Sequence, residues 1–216
     1  MVTETGPDPV HAVIWLHGLG ADGNDFAPIV PQLRSAGARP VRFVFPHAPV
    51  RPVTINGGMA MRAWYDILGV EISRDQDRDG IHQSMQQVDR LVDQQIEQGI
   101  APENLLLAGF SQGGALALRY ALGRTTGLGG VVALSCYLLA SDALDGWLTD
   151  AGRRTPVFLA HGTIDPIVPI ALGREAARAL ADRQLSVEWS EWPMQHAVCP
   201  DEIAALDAWM ERRFAA

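Results

Sequence analysis

Residues 105–122 carry the feature that most restricts how this chain can fold. An apolar run, LLLA, leads into Gly109-Phe110-Ser111-Gln112-Gly113, and a helical stretch, Gly113 to Leu122, follows at once. A G-x-S-x-G motif in that setting reads as a very tight strand-to-helix turn that lifts a serine hydroxyl above a sheet. Side chains two residues to either side of Ser111 would collide with the crossing elements, so glycine is needed at 109 and 113. The helix that follows aims its amides and the positive end of its dipole at the same point. Five residues alone could be a plain turn; the strand before them and the helix after them add the specificity.

The rest of the chain alternates in the same way. His11–Leu16 reads as a buried strand running into a Gly-rich turn, HGLGADGND, with a short helix from Asn24 or Asp25. Val41–Phe45 is the next strand. Residues 46–79 show little periodicity and read as a long excursion over the sheet edge. Asp79 can cap a helix to about Gln98, with Ile81, Met85, Val88, Val92 and Ile96 on one face and Gly99 at its C-terminal cap. Gly130–Ser135, Pro156–Ala160 and Val187–Trp192 read as strands, and Leu172–Arg183 and Asp201–Phe214 as helices. Short apolar strands separated by helices imply an α/β fold around a mainly parallel sheet, with residues 1–216 as a single domain.

Composition removes several function classes. Charged residues are 19% of the 216, hydrophobic residues 48%, and the net charge is −8 with no run of Lys or Arg. Nothing there attracts nucleic-acid phosphates or an anionic membrane surface. Met1–Pro9 has two acids, no base and no apolar core, unlike a secretory signal. The most apolar stretch, about 131–140, falls short of the roughly 18–20 residues that span a bilayer. Cys136 and Cys199 form neither a disulfide framework nor a zinc spacing, so no metal and no cofactor are expected. The expectation is a cytoplasmic protein with reduced thiols.

A serine hydroxyl is a poor nucleophile until a base takes its proton and a third group orients the base. In the α/β-hydrolase fold the order along the chain is Ser, then Asp or Glu, then His. Only His161 and His196 follow Ser111. His196 stands in a loop after the VEWSEWP strand, where this architecture puts its chemistry. His161 precedes the candidate acid and reads as a structural histidine bonded to nearby backbone. Asp165, in the loop after PVFLA and followed by Pro166, is the acid. Asp142, Asp145 and Asp150 read as helix caps or solvated charges, and Asp201 and Glu202 as charges favouring a helix N-terminus. For the oxyanion, one donor is the Gln112 amide; the other comes from His17-Gly18-Leu19-Gly20, where Leu19 N–H is the choice.

With those residues in place, the chain resembles the family of bacterial carboxylesterases and acyl-protein thioesterases, the phospholipase/carboxylesterase family. The matching segments are WLHGLGADGNDF (15–26), FPHAP (45–49), RAWYDI (62–67), GFSQGGALAL (109–118), LSCYL (134–138), HGTIDPIVP (161–169) and PMQHAVCPDE (193–202), in order over nearly the whole chain. The resemblance implies an α/β-hydrolase without a large cap domain. It also implies a substrate groove partly covered by the loop after RAWYDI. It puts the triad on Ser111, Asp165 and His196 and the oxyanion donors on Leu19 and Gln112. Trp64 and Leu68 would line or hinge the acyl groove, or Trp64 and Tyr65 would only pack. Gln195 and Ala197 depart from the Gly and Ser that many relatives carry. A homodimer is implied by the resemblance alone.

These readings converge on a serine carboxylesterase for short- to medium-chain esters, working through an acyl-enzyme on a small-molecule substrate. An acyl-protein thioesterase or lysophospholipase with a longer acyl groove is the alternative. A non-catalytic binding protein on the same fold is the rival of another class.

Overall fold

The computed structural model describes residues 1–70, 72 and 75–215. Along the chain run β1 (Val2–Glu4), β2 (His11–Leu16), α1 (Arg34–Ala38), β3 (Val41–Val44), β4 (Val50–Val53), β5 (Met59–Arg62) and α2 (Arg78–Glu97). There follow β6 (Leu105–Phe110), α3 (Gln112–Gly123), β7 (Gly130–Leu134), α4 (Leu144–Trp147), α5 (Asp150–Arg154), β8 (Val157–Gly162), α6 (Ile170–Ala181), β9 (Val187–Trp192) and α7 (Pro200–Phe214). Seven strands form one sheet in the order β1-β3-β2-β6-β7-β8-β9. All pairs are parallel except β1 with β3.

The central strands are apolar throughout because both sheet faces are covered. Ile14, Leu107, Val131 and Leu159 face one core with α2, α3 and α6. Val13, Trp15, Leu106, Val132 and Phe158 face the other with α7 and the segment around α1. Strand β2 goes on to β3 on one side and pairs with β6 on the other. The loops after β2 and β6 therefore part at the carboxyl ends of the sheet and leave a crevice, the usual ligand position in open α/β sheets. No helix among the described residues is long and apolar enough to cross a membrane.

The expectations need revision at several points. The cap of α2 is Asp77, whose carboxylate accepts from Gly80 N at 2.9 Å; Asp79 sits in the first turn. Part of the 46–79 excursion is regular: β4 and β5 form an antiparallel hairpin, turned through Gly57 at φ 66°. Residues 71, 73 and 74 of the loop expected to cover the groove lie outside the described residues. The strand β1 has only exposed and half-buried residues, so no burial pattern announced it. Glu202 sits in the first turn of α7, where a charge favouring the helix N-terminus was expected, but it is fully buried. It lies one turn before Leu206 on the face of α7 that meets the sheet, and Ile203 is the half-buried neighbour. Only the Cys199 amide approaches its carboxyl, short of hydrogen-bond geometry, and burial pushes that carboxyl up to about 8.

Candidate active site

Ser111 is the hinge between β6 and α3, at φ 54° and ψ −120°, a conformation that L-residues rarely adopt. It is held by its neighbours: Ser111 N–H donates to Leu134 O at 2.8 Å, and Ser111 O accepts from Ala115 N at 3.0 Å. A Cβ at Gly109 would run into the Gly113 carbonyl, and one at Gly113 into the carbonyls of Leu16 and His17. Both glycines are thus demanded by backbone crossing within van der Waals range, and Ser111 Oγ is left at the surface of the crevice.

Strands β8 and β9 lie beside each other, so the loops at their ends bring Asp165 and His196 together. His196 Nε2 is 2.9 Å from Ser111 Oγ, and His196 Nδ1 is 2.7 Å from Asp165 Oδ2. The Asp165 side chain has no exposure, and its other oxygen accepts from the amides of Ile167 at 2.8 Å and Val168 at 2.9 Å. A buried carboxylate with its oxygens so used is compensated for leaving water. Because it accepts from Nδ1–H, the imidazole keeps Nε2 free to take the serine proton. The Phe110 ring packs on that imidazole with centroids 4.7 Å apart. His161 lies within β8, and its Nε2–H donates to Val168 O at 2.9 Å. Burial lowers its pKa and keeps it neutral, 3.5 Å from Asp165 Oδ2. The rival acids are elsewhere: Asp145, for instance, is exposed and forms a bidentate pair with Arg183.

The Leu19 amide, expected as the second oxyanion donor, is oriented by a residue whose role the sequence did not disclose. His17 is buried, with Nδ1 2.7 Å from Gly18 O and Nε2 accepting from Ala48 N at 3.0 Å. The two bonds fix one tautomer, Nδ1–H, and desolvation lowers the ring's pKa so that it stays neutral. Gly18 C=O and Leu19 N–H belong to one planar trans peptide and point in opposite directions. Holding the carbonyl toward His17 therefore turns Leu19 N–H away from it. The Gln112 amide lies in the first turn of α3, where amides have no intrahelical acceptor. Leu19 and Gln112 line one cavity together with Ser111 and His196.

That cavity encloses about 450 Å³, with walls from Ile55, Ile67 and Ile72 of the excursion, Ile167 and Val168 after Asp165, and Tyr137 after β7. Trp64 and Leu68, expected at the groove, do not line it. Trp64 is fully buried, with its indole N–H donating to His17 O at 2.9 Å. Leu68 points outward at 44% exposure. The Gln112 side chain explains why: its Oε1 accepts from Trp64 N at 2.8 Å and its Nε2 donates to Tyr65 O at 2.7 Å. The RAWYDI segment is thereby pinned beneath the cavity floor, and Ile67 is the first of its residues to reach the lining.

Comparison with known proteins places this constellation. The sequence profile described as phospholipase/carboxylesterase matches residues 1–212. The chain belongs to that family. Acyl-protein thioesterase 1 of Gibberella zeae is 39% identical over 210 residues, covering 93% of this chain and 89% of that one. The crystal structure of SOBER1 of Arabidopsis thaliana, a carboxylesterase, matches with a TM-score of 0.87 at 31% identity, over 94% of this chain and 98% of that one. Zea mays acyl-protein thioesterase 2 matches with a TM-score of 0.84 at 25% identity, over 99% of each chain. The fold is the α/β-hydrolase fold, and the family's reaction class comes with it: the chain is a serine hydrolase acting on ester bonds.

Proposed function

We propose that the protein removes acyl groups from thioesters, and from esters more slowly, through an acyl-enzyme on Ser111. The observation that carries the assignment is the unbroken hydrogen-bond chain Ser111–His196–Asp165 beside an apolar cavity. His196 Nε2 takes the Ser111 proton as Oγ attacks the carbonyl carbon, and Asp165 steadies the imidazolium. The Leu19 and Gln112 amides receive the oxyanion. The proton then passes from Nε2 to the departing sulfur or oxygen, and a water activated by His196 releases the acid.

The thioester reading goes ahead of the short-chain carboxylesterase because the relatives named acyl-protein thioesterase are the more similar, and because an apolar cavity of about 450 Å³ is larger than an acetyl group fills. The SOBER1 likeness keeps the carboxylesterase as second reading. The test is a pair of rate profiles, p-nitrophenyl esters and alkyl thioesters from acetyl to palmitoyl, each with a Ser111→Ala control. Faster release from thioesters at medium or long chains supports the proposal. A peak on short esters returns the carboxylesterase, and no turnover of any substrate leaves the binding protein.

A further inference from the structure

His196 lines two cavities. The one already described holds Ser111 and both oxyanion amides. The other, about 370 Å³, shares His196, Phe110 and Asp25 with it and is otherwise walled by Phe26, Pro28, Ile29, Val198 and Ile203. Neither Ser111 nor the oxyanion donors line it. Asp25 lines both cavities, and among the described residues it is the only Asp, Glu, Lys or Arg in either lining. Its carboxylate is exposed and has no ion-pair or hydrogen-bond partner among the described residues; only its backbone is bonded, N–H to Asp22 O at 3.1 Å. Asp22 and Arg62 share a more open cleft with it. Both have other partners there: Asp22 Oδ1 accepts from Asn24 N at 2.7 Å and Arg62 Nη1 donates to Ala48 O at 2.9 Å.

We propose that the second cavity receives the leaving group and that Asp25, at the mouth common to both, selects leaving groups carrying a positive charge over those carrying a negative one. The inference rests on the acyl-transfer reading above. When the tetrahedral intermediate collapses, the bond from carbon to sulfur or oxygen breaks, and its electron pair leaves with the heteroatom. The proton on His196 Nε2 goes to that atom, while the acyl carbon stays bonded to Ser111 Oγ. The departing atom must therefore lie on the imidazole side, and the acyl chain on the side of Ser111 and the amides. Those are the two cavities. An alcohol or thiol with an apolar stem finds Phe26, Ile29 and Val198. A cationic group a few bonds further out meets Asp25 with no competing cation in either cavity, where partial desolvation strengthens the attraction.

The experiment compares three thioesters of one acyl group: butyrylthiocholine, ethyl thiobutyrate and S-butyryl-3-mercaptopropionate. Thiol release is followed in the wild type, Asp25→Asn and Asp22→Asn. The readout is the ratio of kcat/KM for the cationic substrate to that for the anionic one, which cancels differences in active enzyme. The wild type is expected to show a ratio of about ten, which shrinks as salt is added. Asp25→Asn should bring it to within about twofold of unity, and Asp22→Asn should leave most of it. A wild-type ratio near one, or a large ratio that survives Asp25→Asn, overturns the inference while leaving the hydrolase intact. No release from any of the three, or release undiminished in Ser111→Ala, overturns the acyl-transfer reading itself.

Discussion

The turn at Ser111 and the described part of the excursion after β3 meet at Gln112, yet they are held in shape by different means. The turn is fixed by steric exclusion: backbone crosses backbone at Gly109 and Gly113 with no room for a Cβ. The excursion is tied by paired polar bonds, with Asp66 accepting from Thr54 N at 2.7 Å and from its hydroxyl, Asp77 from Asp66 N at 2.9 Å, and Gln112 clasping Trp64 and Tyr65, whose rings pack in the core. Its hairpin buries little; Val50 and Met59 are more than 60% exposed. Ser111 stands in the part that leaves no room for a side chain at its flanking glycines. Cavity shape is entrusted to the part that side chains can retune, through Ile55, Ile67 and Ile72.

The largest effect should come from the fixed part. Asp165→Asn leaves two backbone donors in place but presents the wrong partner to His196 Nδ1, and kcat should fall by about 10³- to 10⁴-fold. Asp145→Asn, on an exposed pair, should stay within about twofold. Similar losses in the two would mean that Asp165 is the wrong acid. Next comes Gly113→Ala, which forces a methyl into the Leu16 and His17 carbonyls. Urea denaturation should show a loss of about 3 kcal/mol or more.

Gln112→Ala tests the seam between the two regions. It strands the buried Trp64 N–H and Tyr65 C=O, at a cost of about 1–3 kcal/mol. The excursion would loosen, so KM for long acyl chains should rise more than kcat falls. If Gln112→Ala matched Gly113→Ala in stability and lost kcat alone, the contrast between the regions would fail.

How far the sequence disclosed this molecule follows the same division. The strands, the helices that cover them, and the Ser111, Asp165 and His196 positions were legible because burial on two faces and backbone collision each leave a residue-type signature. The hairpin was not: of VRPV and MAMR only Val53 is buried, so no alternation marks them, and the turn depends on Gly57 at positive φ. Whether Trp64 lined the groove or only packed stayed open because the side chain of Gln112, read only for its amide, holds Trp64 and Tyr65 in the core, while Leu68 faces outward. Asp77 and Asp79 are two residues apart, and only the geometry of the first turn shows which one caps α2.

Glu202 is the rigid part's own exception, and it sets the smallest expected effect. Its carboxyl titrates at about 8 in the folded protein against 4.5 unexposed to burial. Between those values the folded protein holds a proton that the unfolded chain has lost. Stability from this group is therefore full below about 4.5 and declines as pH rises to about 8. Glu202→Gln should remove that decline and raise stability at pH 8 by about 1–3 kcal/mol, with ester turnover retained. Thermal unfolding at pH 5 and pH 8 reads it; an identical slope in both proteins would show that Glu202 is already ionised in the fold.

The most direct test of the account is covalent. An alkyl fluorophosphonate captures a serine only where a base activates it and donors receive its oxyanion. Intact-mass and peptide analysis of the folded protein should show a single adduct on Ser111, absent in Ser111→Ala and slowed in Asp165→Asn. An adduct on another residue, or none on folded protein that still turns over ester, would contradict the account.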